Sequence, residues 1–366
     1  MKRVAVVILN WNGKDFLEKF LPSVLSNSSL SNNKFELEVV VADNGSSDNS
    51  HNIFSTITEN FSKRNSIATR WIQLDKNYGF TGGYNRAIGI LQNQNNYDYF
   101  LLLNSDIFTP ENWLEPLLSF MEEHSDVAVS QPKILSYTAS VYSLNTIQTT
   151  QEKSHHFDKF EYAGASGGFL DKYGFPFCRG RILSCLEEDR GQYDTPLRTF
   201  WASGACMLVR SDVWKKLGGL DEMFFAHMEE IDFCWRCSLL GFQIWCLPQS
   251  KVYHVGGGTL PNNSPRKLFF NYRNNLLMLK KNLPAKSVGR KIFIRKLIDL
   301  LSALGYCCQF KFSFALAVLK AHKDYNKKRK EIPTSSANAL VYGVYHRSII
   351  KKFFLGKRTF NKISPF

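Results

Sequence analysis

The chain of 366 residues lacks a compact cysteine framework, a long uninterrupted apolar run and, beyond residue 264, nearly all acidic side chains. Its eight cysteines are scattered, which excludes a small disulfide-stapled scaffold and predicts reduced thiols. Cys234-x-x-Cys237 has a metal-like spacing but no second pair and a helical context, so it does not predict a zinc site. The start, MKRVAVVILNWNG, opens like a signal peptide, yet its apolar run ends after Leu9 and no small-residue cleavage site follows. A buried strand of a cytoplasmic protein is the expectation. The most apolar stretch, Leu297 to Leu319, is interrupted by Asp299, Gln309 and Lys311 and abuts KAHKDYNKKRK. A spanning helix wants about 20 predominantly apolar residues. A helix lying on a membrane surface is therefore expected, with packing inside the protein and a true span as alternatives.

What the sequence does have is charge of one sign in one place. Residues 265–366 carry 23 of the 46 Lys and Arg against only Asp299, Asp324 and Glu331, a net +20, whereas residues 1–264 are net −6. An acid-containing body and a basic tail that meets something anionic are implied. None of the usual nucleic-acid signatures is present, so no nucleic-acid partner is expected, and an anionic membrane surface or phosphorylated lipid fits better.

The first 130 residues alternate short apolar runs with amphipathic stretches. Val4 to Leu9, Leu37 to Ala42, Thr69 to Leu74 and Tyr99 to Leu103 read as strands, continuously apolar as parallel strands covered on both faces should be. Asp15 to Leu25, Asp48 to Phe61 and Thr81 to Gln92 read as the helices between them. In such an α/β fold ligands bind beyond the carboxyl ends of the strands. The polar loops lie there: Asn10 to Gly13, Asp43 to Asp48, Asp75 to Asn85 and Asn104-Ser-Asp106. Later come a strand at Ala205 to Val209, a helix from Ser211, an acid-bearing helix ending at Gly241 and a strand at Gln243 to Leu247, followed by Val252-Tyr-His254 and the triplet Gly256 to Gly258.

Each loop has a bland reading beside a chemical one. Asp43 suits a base or ribose hydroxyl, or a helix cap. Gly79, Gly82 and Gly83 let backbone approach a phosphate, or simply make a turn. Asn104 and Asp106 offer hard oxygens for Mg²⁺ or Mn²⁺ bridging to a diphosphate, or an Asx-turn. In FFAHMEEIDFCWR, Asp232 and Arg236 stand i,i+4 in the favourable order, which makes Asp232 structural. Glu230 has no local partner, and a carboxylate among Phe224, Phe225, Met228 and Trp235 would have a raised pKa suited to a general base. His254 ranks as a ligand only if it meets the Asp106 loop in space.

Together, VVILNWNG, VVVADNGSSD, NYGFTGGYNRAI, LLLNSD, WASGACMLVRSDVWKKLGGLDEMFF, EEIDFCWR and VYHVGGG resemble, over roughly residues 3–260, the family 2 glycosyltransferases, in their rhamnosyltransferase-like subgroup of bacterial surface-polysaccharide enzymes. The resemblance implies a GT-A fold with a mainly parallel central sheet over 1–264, with a donor half to about 131 and an acceptor half from 132. A basic, helical, membrane-associated region would follow at 265–366. It implies inverting, metal-dependent transfer from a nucleotide-diphosphate-sugar to a lipid-linked glycan at the inner face of the membrane. By position, Asn10, Asn12, Asp43, Asn77, Gly79, Gly83, Asn85 and Asn104 would line the donor site. Asp106 and His254 would bind the metal, and Glu230 would be the base, with Glu229 or Asp232 in support. Trp201 would stack on the acceptor or fill the core. A nucleotidyltransferase and a non-catalytic polybasic membrane scaffold are the rivals.

Overall fold

The structure is a computed structural model, which describes residues 1–30, 34–62, 67–138, 158–256, 264–333 and 341–363. Gly257 and Gly258 of the expected glycine triplet lie outside the described residues. Strands β1 (Lys2–Asn10), β2 (Phe35–Asp43), β3 (Ala68–Gln73) and β4 (Tyr99–Asn104) alternate with helices α1 (Lys14–Asn27), α2 (Ser50–Ser62) and α3 (Gly79–Gln94). After the short β5 (Ile107–Phe108) come α4 (Glu115–Glu123) and β6 (Val127–Ser136).

The four expected strands form because both of their faces are covered. Ala5 and Val7 of β1 enter one core with Val40, Tyr84 and Leu102, while Val4, Val6 and Ile8 enter another with Leu17, Leu101 and Trp113. A period-2 strand apolar on every residue must lie between two layers.

Beyond residue 158, a small five-stranded sheet contains β7 (Gly168–Asp171), β8 (Pro176–Cys178), β9 (Arg181–Ile182), β10 (Cys185–Leu186) and, from the C-terminal end, β14 (Val344–Tyr345). The main sheet is completed by β11 (Leu197–Thr199), β12 (Cys206–Arg210) and β13 (Gln243–His254), in the order β11-β13-β6-β12-β4-β1-β2-β3. Only β12 and β11 run against the rest of that order. The strand expected to end at Leu247 continues to His254, with a register shift between Leu247 and Lys251 where Pro248 cannot donate to the ladder. That continuation carries His254 to the rim, opposite Ile107 of β5.

Helices α5 (Ser211–Leu217) and α6 (Glu229–Leu239) follow β12, and α7 (Pro265–Asn282), α8 (Ala285–Cys308) and α9 (Phe312–Lys328) follow β13. Ser264 caps α7 by accepting from Lys267 N at 3.2 Å, with Pro265 in the first turn. Leu276 to Leu279 of α7 and Tyr325 of α9 join the buried cluster that holds Tyr84, Phe224 and Trp235. The helices beyond 264 are thus packed into the body.

The apolar stretch 297–319 is not one helix. Phe310 takes a left-handed conformation (φ +58°) and Lys311 N returns to Tyr306 O, ending α8 before α9 begins. No helix among the described residues is long and apolar enough to cross a membrane.

Candidate functional site

The carboxyl ends of the parallel strands bring the polar loops together because register aligns them: Asn10 sits opposite Asp43, and Leu9 opposite Asn104. Beside this rim opens a cleft of about 470 Å³. Asn12, Asn77, Gly79, Asn104, Asp106, Glu229, Glu230 and His254 all line it, as do Asn44, Glu161, Tyr162, His227, Arg266 and Lys267.

Six expected residues do not line the cleft; Asp232 is described with its helix below, and packing says why for the other five. Asn10 is fully buried, donating to Asp43 Oδ1 at 2.9 Å. Asp43 accepts also from Ser46 N at 2.9 Å and Gln73 Nε2 at 2.8 Å, so its carboxylate is occupied by its own loop and strands. At Gly83 any Cβ would stand 2.7 Å from Leu9, so the glycine lets α3 press on β1. Asn85 clamps Leu220 through both of its backbone groups, at 2.7 and 2.9 Å. Trp201 is 3% exposed, donates to Phe169 O at 3.1 Å and covers Gly168; it packs in the core, away from the acceptor space expected of it.

Asp106 and His254, distant in sequence, meet because β13 pairs with β5. Asp106 Oδ1 lies 3.1 Å from His254 Nε2, and Asp106 Oδ2 accepts from Gly256 N at 3.3 Å. On the other side of the ring, Glu161 Oε2 is 3.4 Å from the buried His254 Nδ1, an ion-pair contact at long range. Burial alone would depress the imidazole; Asp106 and Glu161 outweigh it and hold the ring up to about 10. Asp106 is lowered in turn: burial opposes, and His254 wins. A carboxylate and an imidazole on a cleft wall, with Glu161 behind the imidazole, are a donor set that fits a divalent cation. Among the described residues no three His, Cys, Asp or Glu form a self-sufficient metal site.

Opposite in chemistry is the start of α6. Glu229 Oε2 and Glu230 Oε2 are both buried without a partner. Burial first, and then the neighbouring Glu230, push Glu229 well above the carboxylate range; burial pushes Glu230 up to about 7. Two adjacent carboxyls sharing a desolvated place resist ionising together. Asp232, completely buried, is held by Arg236 Nε at 2.8 Å, Lys281 Nζ at 2.9 Å and Asn282 Nδ2 at 2.7 Å. It is structural, and its partners from α7 come from beyond the expected domain boundary.

Sequence reasoning missed Glu161, His227, Arg266 and Lys267. Burial and the nearby Lys267 lower His227 to about 4, so it is neutral. Nothing in spacing ties residue 161 to residue 254; the link is tertiary.

Residues 5–183 match the family model Glycosyl transferase family 2. The rhamnosyltransferase WbbL of Escherichia coli (strain K12) is 25% identical over 184 residues, 48% of this chain and 61% of the relative. The N-acetylglucosaminyl-diphospho-decaprenol L-rhamnosyltransferase of Mycobacterium tuberculosis (strain CDC 1551 / Oshkosh) is 37% identical over 54 residues, 15% of this chain and 18% of the relative. The chain thus spans less than two thirds of the length of these curated relatives. Among solved structures, the mannosyltransferase PcManGT from Pyrobaculum calidifontis, in complex with GDP-Man and Mn²⁺, matches with TM-score 0.52 and 10% identity, covering 88% of this chain and 87% of that one. The likeness is one of fold, the GT-A type.

Proposed function

We propose that this chain, whose residues 5–183 form a family 2 glycosyl transferase domain, transfers a sugar with inversion from a nucleotide-diphosphate-sugar to a hydroxyl of a lipid-linked glycan, in cell-surface polysaccharide synthesis. The observation that carries the reading is a cleft with two adjacent carboxyls, each keeping a buried oxygen without a partner, and an Asp106–His254 pair on its walls. A non-catalytic scaffold has no use for that arrangement, because burying adjacent acids without a cation costs stability.

Glu230 takes the proton of the acceptor hydroxyl while that oxygen bonds to the anomeric carbon; the carbon–oxygen bond to the diphosphate breaks, and the nucleoside diphosphate leaves with the electron pair. Glu229, pushed well above the ordinary carboxylate range by burial and by Glu230, stands beside the base as its neighbour on the cleft wall. Asp106 and His254 would hold a divalent cation, Mg²⁺ or Mn²⁺, which supplies charge neutralisation on the departing diphosphate. Asn12, Asn77, Gly79 and Asn104 face the donor.

A lipid-linked acceptor is supported by the mycobacterial relative, named for a diphospho-decaprenol substrate, and by the basic pair Arg266 and Lys267 on the cleft wall. Next to that pair, Leu268 packs against the buried Ala303, Ala315 and Val318, as do Tyr306 and Cys307 at the end of α8. On α8, Leu297, Leu301 and Leu304 are exposed at i, i+4, i+7; on α9, Phe312, Leu316 and Leu319 repeat the pattern, and Phe310 between them is 83% exposed. Apolar rows among lysines suit the surface of an anionic bilayer at the inner face of the membrane, where each Lys or Arg contributes on the order of 1 kcal/mol.

Incubation of the purified protein with a panel of nucleotide-sugars, with and without Mn²⁺, tests the reaction. Mn²⁺-dependent release of the nucleoside diphosphate is expected from one donor, and no release from any donor refutes the reading. Cosedimentation with anionic vesicles, weakened by Phe310→Ser with Phe312→Ser, tests the surface.

A further inference from the structure

The segment that delivers the acid pair is strained. Phe225 (φ +65°), His227 (φ +70°) and Met228 (φ +74°) occupy the left-handed region that L side chains avoid, and α6 then begins with no side-chain cap. Such backbone persists only where its neighbours over-determine it.

The neighbours come from two sides. From α3, Phe80 N donates to Phe225 O at 2.9 Å, and Gly79 is pressed against the Phe225 ring, where any Cβ would stand 2.7 Å away. From α7, the fully buried Asn274 points its Nδ2 at three carbonyls: Phe224 O at 2.9 Å, Ala226 O at 2.8 Å and His227 O at 2.7 Å. Its Oδ1 accepts from Arg273 Nε at 2.8 Å, so the amide can face only one way. Arg273 also reaches Phe224 O at 3.1 Å with Nη2 and Asp324 of α9 at 3.3 Å with Nη1. A run of bonds therefore leads from α9 through α7 to the turn that sets down Glu229 and Glu230.

We propose that Asn274, oriented by Arg273, is a positioning residue for the transfer reaction. It fixes the carbonyls of residues 224, 226 and 227 and through them the place at which the Glu230 carboxyl meets the cleft. The proposal rests on the assignment of Glu230 as base. Small misplacements of a reacting group cost large factors in rate, so the effect falls on turnover rather than on donor binding.

Neighbouring Asn275 provides the control, being equally buried but bonded to Gly174 O at 2.7 Å and Arg295 Nη1 at 2.6 Å, away from the acid loop. Asn274→Ala is expected to lower kcat by about tenfold or more with donor KM within about twofold, and to speed amide hydrogen exchange over residues 224–230. Asn275→Ala is expected to lower Tm while leaving kcat within about twofold and exchange over 224–230 unchanged. Parental kcat in folded Asn274→Ala, or an equal kcat loss in Asn275→Ala, overturns the proposal. Should Asn274→Ala not fold, Arg273→Lys keeps a cation beside Asp324 but loses the orienting bond; unchanged exchange over 224–230 and unchanged kcat there overturn it equally. Exchange is read without turnover, so a chain inactive with every donor refutes the reaction while exchange still judges the clamp. Intact, Glu230-dependent turnover with unchanged exchange in the variants refutes the clamp alone.

Discussion

Two groups of buried acids share the strand rim and differ in company. On the β1–β3 side, Asp43 is surrounded by donors from Asn10, Ser46 and Gln73. On α6, Asp232 is equally well served by Arg236, Lys281 and Asn282, while Glu229 and Glu230 on the same helix each keep a buried oxygen with no partner. Asp43, Asp232 and Glu229 are buried and Glu230 is half-buried with one buried oxygen, so burial by itself does not mark the proposed base. What separates them is whether the fold supplies a counter-charge or a donor, since without one the charged form is disfavoured and the pKa rises.

The contrast breaks most sharply at Glu230. Glu230→Gln is expected to lower kcat by about 10²–10⁴-fold, read as nucleoside diphosphate release in the presence of acceptor, with the fold retained. Asp232→Ala is expected to act on stability instead, by about 3 kcal/mol in denaturant unfolding, because it strands Arg236 and Lys281 beside a void; unchanged stability would erase the distinction between the two acids. Glu161→Gln tests the third kind of acid, one that stands behind the proposed ligand His254. Mn²⁺ affinity by calorimetry is expected to fall about 10–100-fold.

The smallest effects concern pH. With Glu230 at about 7, the base must lose its proton to act, so kcat is expected to rise with pH and level off above about 7. Stability runs the other way. The folded value stands above the ordinary 4.5, so the contribution from this group is full below pH 4.5 and is lost as pH rises through about 7. Glu230→Gln, uncharged throughout, is expected to melt above its parent at pH 8, with the gap closing towards pH 4.5 in parallel scans.

The strands, the loops and their common rim were legible in the sequence because two-faced burial writes continuous apolar runs and chain reversals write glycine and asparagine. The separation of Asp232 from Glu230 was legible too, since an i,i+4 pair is local. Partners that arrive from other elements were not. Glu161 reaches His254 from a region of weak periodicity, and Asn274 lies on a helix that composition marked only as basic. Trp201, Gly83 and Asn85 misled in the opposite sense: residue types that suit sugars and phosphates suit tight packing equally, and here all three pack. The continuous apolar reading of 297–319 failed at a single left-handed residue, Phe310, which divides it into two helices.

The bonds from Asn274 to the acid loop also set an order in time. During synthesis the chain emerges from its N-terminus, so the strands, the glycine loop and α6 are all available before α7 exists. Until α7 arrives, the carbonyls of Phe224, Ala226 and His227 lack their Asn274 donor, and Asp232 lacks Lys281 and Asn282. A nascent chain that has just cleared His254 holds nearly every residue the chemistry names, yet its acid pair is without the α7 side chains that steady it. The acid loop is thus completed late, when the basic C-terminal helices have folded back onto it.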